Sequence, residues 1–102
     1  MERMNRKEIL EVAMACVCGA REQDYGSPES NFRLIAELWE PYFKAKCVGG
    51  DCDVTINPED VAAMMVLLKI ARIATGHGKS DNWVDAAGYA ANGGEIESGG
   101  AL

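Results

Sequence analysis

The sequence predicts an all-α protein, a compact bundle of about four helices, and three observations support this prediction. Apolar residues recur at spacings of three and four along four segments, as in helices that bury one face. These segments begin at capping residues and end at glycine or proline, which interrupt helices. No segment shows the sustained apolar–polar alternation of a half-buried strand. We therefore expect helices packed on helices.

Size and charge restrict the class further. The 102 residues suit a single domain, with a helical core over about 5–92 and a flexible, glycine-rich tail over 93–102. The net charge of −6, with no basic tract, argues against binding to duplex nucleic acid. No apolar run is long enough to span a bilayer, and the polar N-terminus has no signal-peptide pattern. A cytoplasmic protein, free of any membrane, is expected.

The four cysteines are expected to be reduced thiols, as is usual in the cytoplasm. Cys16 and Cys18 lie two residues apart within a predicted helix, so their side chains diverge, whereas structural zinc sites use wider spacings on turns. We therefore expect no zinc. Only Cys47 and Cys52 flank a suitable loop.

The first two helices have clear starting points. The first is predicted from Asn5 to Glu22. The second begins at the N-cap Ser27, and Pro41 is expected to kink it or to end it near Glu40. Their predicted buried stripes are Ile9, Val12, Ala13, Cys16 and Val17, then Phe32, Ile35, Ala36, Trp39 and Phe43.

The third helix is predicted to be central. Asn57 caps it, Asp60 completes a capping box, and Gly76 ends it. The residues between are apolar nearly all round, so neighbouring helices should cover every side. The fourth helix is predicted from the cap Ser80 to about Ala91, and its small residues allow close approach of a neighbour: Ala86, Ala87, Gly88, Ala90 and Ala91.

The fourth helix also carries an acidic stripe. Asp81 is explained by the first turn, where the helix dipole favours an anion. Asp85 lies mid-helix, on one face with Asn82 and Tyr89. It must face water, a metal or a cation. The candidate cations are Lys69 and Arg72, which alternatively extend into solvent at the end of the third helix.

A second acidic pair, Glu37 and Glu40, lies on the second helix three residues apart. Carboxylates of this kind suit Mg²⁺, which bridges to substrate phosphates. The predicted metal ligands are Glu37, Glu40, Asp81 and Asp85. The plainer alternative for each glutamate is a solvated polar face.

The predicted ligand is a nucleotide or nucleotide-like small molecule. Lys69 and Arg72 would hold its phosphates. In the preceding loop and helix start, Tyr25 would stack on a base and Asn31 would read it, although the turn's own amides also engage such residues. The predicted substrate-binding residues are Lys69, Arg72, Tyr25, Asn31, Asn82 and Tyr89.

The stretches DYGSPESNFRLIAELW and DVAAMMVLLKIARIATGHGKSDNWVDAAGYA resemble a group of small phage and prophage proteins of uncharacterised function. The resemblance covers roughly residues 21–92 and is carried by the order of these motifs. These proteins look like compact relatives of MazG-type all-α nucleotide pyrophosphohydrolases. That family has an E-x-x-E pair on one helix and an E-x-x-D pair on a later one, which together hold magnesium.

The resemblance implies specific roles. Glu37 and Glu40 match the first pair, while Asn82 and Asp85 match the second, with an amide where the family has a carboxylate. By resemblance, Glu37, Glu40 and Asp85 would be catalytic, and Mg²⁺ would support cleavage of a nucleoside triphosphate to monophosphate and pyrophosphate. A homo-oligomer is implied too, since MazG-type sites commonly form between subunits.

Two non-catalytic functions are alternatives to this enzyme. The protein would act as a phage counter-defence factor that sequesters a nucleotide signal, or it would inhibit a host protein by direct binding. In the second case its acidic surface would contact a basic target. Each of these functions places the protein in the host-cell cytoplasm.

Overall fold

A computed structural model describes residues 3–19, 27–47, 53–76 and 80–99. These segments form four helices: α1 (Arg6–Cys18), α2 (Pro28–Lys46), α3 (Pro58–Ala74) and α4 (Ser80–Glu97). None of these segments contains a strand, so the predicted all-α class is confirmed. No helix among them is long and apolar enough to cross a membrane.

The helices are arranged around α4. This helix packs mainly against α3 and also against α1, while α2 packs on α3 and touches α4. The molecule measures 48 × 37 × 23 Å along its principal axes. Because a helix with its side chains is about 10–12 Å across, the shortest dimension accommodates two layers of helices.

The buried core lies where α2, α3 and α4 meet. Its four fully packed residues are Phe32, Ala36, Val61 and Ala62, and half-buried apolar side chains surround them. Ile96 is one of these surrounding residues, so the end of α4 belongs to the core. The prediction that α4 ends near Ala91 is therefore wrong, since helix continues to Glu97.

Local signals located the start of α1 correctly. Asn5 and Glu8 form a reciprocal capping box, in which each side chain accepts a hydrogen bond from the other's backbone N–H, at 2.8 and 2.9 Å. The helix ends at Cys18, earlier than the predicted Glu22. A Cβ at Gly19 would lie 2.5 Å from the carbonyl oxygen of Ala15, so this position requires glycine. Val12, predicted to be buried, is exposed.

The second helix begins as predicted, because the backbone N–H of Ser30 donates to Ser27 Oγ at 3.2 Å. It continues through Pro41 to Lys46, so the predicted end near Glu40 does not occur. Pro41 lies on the exposed side of α2, where water can satisfy the carbonyl left without a donor. Phe43, predicted to be part of the buried face, is also exposed.

The third helix begins at Asn57, whose backbone N–H donates to Asp60 Oδ2 at 2.8 Å. The prediction that neighbours cover every side of this helix is wrong for the single chain. Val61 and Ala62 are fully buried, but the opposite side of α3 is exposed, at Ala63, Leu67, Ile70, Ala71 and Ala74. Core packing therefore uses only part of an almost entirely apolar helix.

The cysteines agree with the prediction only in part. Cys16 and Cys18 are free thiols. Cys47 is disulfide-bonded, so the prediction of reduced cysteines is wrong there. That prediction considered the cellular compartment alone, whereas disulfide bonding depends on whether the fold brings two sulfurs together.

The predicted close approach of a neighbouring helix to α4 is confirmed, since a Cβ at Gly88 would lie 3.2 Å from Val17 Cγ1.

Candidate functional site

An ion pair joins α3 to α4 at the centre of the candidate site. Lys69 Nζ lies 3.0 Å from Asp85 Oδ2. The lysine side chain is mostly buried, whereas the carboxylate side chain is 39% exposed, so water screens the pair and it contributes at most about 1 kcal/mol. Of the partners that the sequence left open for Asp85, namely water, a metal, Lys69 or Arg72, the structure places Lys69 beside it.

A second polar contact lies beside the ion pair. Arg72 Nε donates a hydrogen bond to Asn82 Oδ1 at 3.1 Å. Asn82 is only 3% exposed and is the buried polar residue of the described chain, whereas Arg72 is exposed. The buried side-chain amide of Asn82 thus holds the Nε edge of the Arg72 guanidinium, while the arginine side chain remains exposed to solvent. Both residues were predicted to belong to the site. Their pairing was not predicted, because the pairing depends on how the two helices face each other.

The two contacts form a regular arrangement, which we call the α3–α4 polar cluster: Lys69, Arg72, Asn82 and Asp85. The cations lie three residues apart on α3, and their partners lie three residues apart on α4. Residues three apart are neighbours on a helix surface. The cluster holds two cations and one carboxylate, so it is locally positive within a chain of net charge −6.

Glu40 has a structural role of its own. Its Oε1 accepts a hydrogen bond from the backbone N–H of Ile56 at 2.8 Å, and its Oε2 lies 3.3 Å from Lys44 Nζ. The hydrogen bond from Ile56, together with Lys44, lowers the pKa of Glu40 from its ordinary value of 4.5. This carboxylate therefore ties α2 to the segment that leads into α3.

The substitution Glu40→Gln is expected to change how stability depends on pH. A carboxylate whose pKa is lowered on folding stabilises the protein above its ordinary pKa, and this stabilisation is lost as pH falls through the lower folded-state value. The variant should therefore lose stability at neutral pH and lose less on acidification. Urea unfolding from about pH 7 to about pH 3 measures this.

Glu37→Gln provides the matched control, because Glu37 is an exposed glutamate on the same helix. This control should keep the acid response of the unmodified protein. Equal responses in the two variants would show that the contact with Ile56 does not stabilise the fold.

The predicted magnesium ligands do not assemble within one chain. Glu37 and Asp81 are exposed, whereas Glu40 and Asp85 contact Lys44 and Lys69. No three His, Cys, Asp or Glu side chains in the described parts of the chain come together in a group that could hold a metal ion. The magnesium site remains a prediction that requires ligands from elsewhere.

Two of the other predicted binding residues are described by the structure, Tyr89 and Asn31, and neither contacts the polar cluster through a described hydrogen bond or ion pair. The ring of Tyr89 packs against Phe32, with centroids 6.2 Å apart. Asn31 is exposed near the start of α2, and Tyr25 lies outside the described residues. Ser80, predicted to cap α4, is its first residue, and its buried Oγ has no hydrogen-bond partner.

The fold and the site define an all-α protein in which α4 holds two cations of α3 in place. The chain belongs to the family described as a domain of unknown function, DUF6378, whose sequence profile matches residues 8–97. The predicted resemblance to uncharacterised phage proteins is thus confirmed at the level of the family and its phage relatives.

Two curated relatives carry the name Gene 55 protein. That of Mycobacterium phage L5 is 44% identical over 82 residues, covering 80% of this chain and 47% of the relative. That of Mycobacterium phage D29 is 39% identical over 85 residues, covering 82% of this chain and 50% of the relative. The chain therefore spans about half the length of these relatives.

No solved structure matches the chain. Neither the family description nor the names of the two relatives supports the predicted similarity to MazG-type enzymes.

Proposed function

We propose that the protein binds a nucleotide or a nucleotide-like phosphate compound and retains it without cleaving it. The observation that carries this proposal is the contact between Arg72 and the buried Asn82. Because Asn82 engages Nε and no other described residue bonds the guanidinium, its two terminal nitrogens would contact a ligand. A planar guanidinium in a fixed orientation suits bidentate contact with phosphate oxygens.

Lys69 adds a second positive charge to this surface. It lies about one helical turn from Arg72, so a phosphate bound to the arginine would interact electrostatically with both cations. Asp85 offsets part of the lysine charge and holds its ammonium group 3.0 Å away. Asp85 would therefore position Lys69 for the ligand, and Asn82 would position Arg72.

Two of the predicted metal ligands, Glu40 and Asp85, already contact other groups of the protein, and this favours ligand binding over hydrolysis. Magnesium-dependent cleavage would require Asp85 to leave Lys69 and Glu40 to leave Ile56 and Lys44. It would also require further ligands from a second copy of the chain, joining Glu37 and Asp81. A binding protein needs none of these changes. In a phage-infected cell, such a protein would sequester a nucleotide signal in the host cytoplasm.

The test is a thermal-shift comparison with nucleoside triphosphates and cyclic nucleotides, each with and without Mg²⁺. A ligand that binds only the folded state stabilises it by about 2.7 kcal/mol at 100 times its Kd, so the melting temperature should rise. The variant Arg72→Ala should lose this rise. Arg33→Ala, which removes an exposed arginine from α2, should keep it.

Two outcomes would contradict the proposal. One is the absence of any shift with every nucleotide tested, which would favour the alternative of direct binding to a host protein. The other is release of pyrophosphate from a nucleoside triphosphate in the presence of Mg²⁺, abolished by Glu37→Gln or Asp85→Asn. That result would establish the MazG-like enzyme instead.

A further inference from the structure

One exposed side of α3 is apolar from Ala63 to Ala74. Five residues form it, and we call them the α3 outer face: Ala63, Leu67, Ile70, Ala71 and Ala74. Leu67 is 66% exposed and Ile70 is 46% exposed. Beyond the first turn of α3, the charged side chains are Lys69 and Arg72, and they contact α4. A helix with one side in water normally carries polar residues on that side, whereas the α3 outer face carries none.

The spacing of these residues matches a helix-pairing seam. Positions 63, 67, 70 and 74 follow one another at intervals of four, three and four residues, the pattern by which helices pack side by side. The order of side chains along this seam is Ala, Leu, Ile, Ala. It has the same order of sizes in both directions, small at each end and large in the middle.

This symmetry indicates which partner fits the surface. A two-fold axis brings residue i of one copy opposite residue j of the other, and residue j opposite residue i. Centring the axis between Leu67 and Ile70 brings each large side chain opposite a large one and each alanine opposite an alanine. The seam can therefore pair with a second copy of itself without placing a large side chain against an alanine.

The surface area of the chain leaves room for such an interface. Its accessible surface is 7327 Å², whereas a compact monomer of this mass exposes about 5600 Å². The radius of gyration, 15.3 Å, likewise exceeds the value of about 13 Å for a compact domain of 100 residues. A standard interface removes about 800 Å² from each partner. The excess, which is summed over the whole chain, is larger than this.

From these observations we infer that two copies of the chain pair through the α3 outer face, with their α3 helices antiparallel about a two-fold axis. Leu67 packs opposite the partner's Ile70, and Ala63 packs opposite the partner's Ala74. The polar clusters contact α4 within each copy, so the dimer carries two of them. This inference does not depend on what the clusters bind.

Cysteine cross-linking tests the register directly. In the double variant Ala63→Cys/Ala74→Cys, two disulfides should form between copies under mild oxidation and give a covalent dimer. The two positions are about 16 Å apart along one helix, too far for a bond within a chain. Neither single variant should cross-link, because like positions lie apart in an antiparallel pair. The experiment is best done with Cys18 changed to serine, since that thiol is exposed and free.

Cross-linking of Ala63→Cys alone would indicate parallel helices and overturn the inference. So would failure of the double variant to cross-link at concentrations where the protein is dimeric.

Charge substitution provides a second, independent measurement. Ile70→Glu places a carboxylate at the centre of the interface and should weaken the dimer at least about 100-fold, as measured by analytical ultracentrifugation. The control is Leu38→Glu on α2, where the leucine is 65% exposed, and this variant should remain dimeric. A monomeric unmodified protein, or a dimer that Ile70→Glu leaves intact, would overturn the inference. Circular dichroism of each variant confirms that it is folded.

Discussion

Replacing Gly93 by alanine is expected to destabilise the protein, whereas the same change at the adjacent Gly94 is expected to stabilise it. Both glycines lie within α4. A Cβ at Gly93 would lie 2.9 Å from the Cβ of Ala62, which is fully buried in α3. A Cβ at Gly94 would meet nothing within 4 Å. The two positions therefore differ in packing but share the same local helix.

The expected magnitudes follow from two opposing effects. Alanine is favoured over glycine within a helix by about 1 kcal/mol, so Gly94→Ala should gain up to that amount. At Gly93 the same gain is opposed by overpacking, which typically costs about 1 to 3 kcal/mol because Ala62 cannot move aside. Urea unfolding of the two variants should show free energies of unfolding that differ by about 1 to 3 kcal/mol.

Equal stabilities for the two variants would show that α3 and α4 do not approach as closely as this structure has them. A stabilised Gly93→Ala would carry the same meaning. Because the control differs by one position in the same helix, changes in helix propensity cancel in the comparison.

The substitution Asn82→Ala is expected to be the most damaging change at the polar cluster. Asn82 is buried, and its Oδ1 accepts the hydrogen bond from Arg72 Nε. Removing the amide eliminates this bond and leaves unpaired polar groups around a small cavity, at a cost of about 1 to 3 kcal/mol. Asp81→Ala, at the exposed neighbouring position, should cost only about 0.5 kcal/mol through the helix dipole.

A double-mutant cycle separates the Arg72 contact from the rest of this effect. If the hydrogen bond couples the two residues, Arg72→Ala should cost less in the Asn82→Ala background than in the unmodified protein. The expected coupling is about 0.5 to 1.5 kcal/mol, the net value of a hydrogen bond. Strict additivity of the two substitutions would show that Asn82 does not position Arg72, and it would remove the main support for the proposed phosphate contact.

The starting points of α1, α2 and α3 were predicted well because the interactions that define them are local. Asn5, Ser27 and Asn57 each contact a residue three positions later. Such contacts form within one turn, so the residue types and their spacing are sufficient to identify them. The all-α class followed in the same way, from apolar spacing that repeats with the helical period.

Helix ends were predicted less well because they depend on distant residues. The chain beyond Ala91 contains Gly93 and Gly94, which disfavour a helix, but Ile96 packs on the core and Gly93 fits against Ala62. Tertiary packing therefore outweighed local propensity. The second helix continues through Pro41 because this position is exposed to water, and exposure cannot be read from the local sequence.

The candidate site shows the same division. The sequence identified Asp85 as a mid-helix acid in need of a partner and named the cations that could supply it. It left open whether the partner was Lys69, Arg72 or a metal, because the choice depends on the rotation and crossing of α3 and α4. In the structure, Lys69 pairs with Asp85 and Arg72 pairs with Asn82. The four predicted metal ligands do not come together in a group that could hold a metal ion.

By itself, then, the sequence determined the helical class, the caps of α1, α2 and α3, and the residues that place charge between apolar faces. These properties arise from interactions within a few residues along the chain. Only the tertiary structure decided which residues meet across helices and which apolar face stays exposed. Both depend on how each helix is rotated about its axis, and that rotation is set by the packing of the core as a whole.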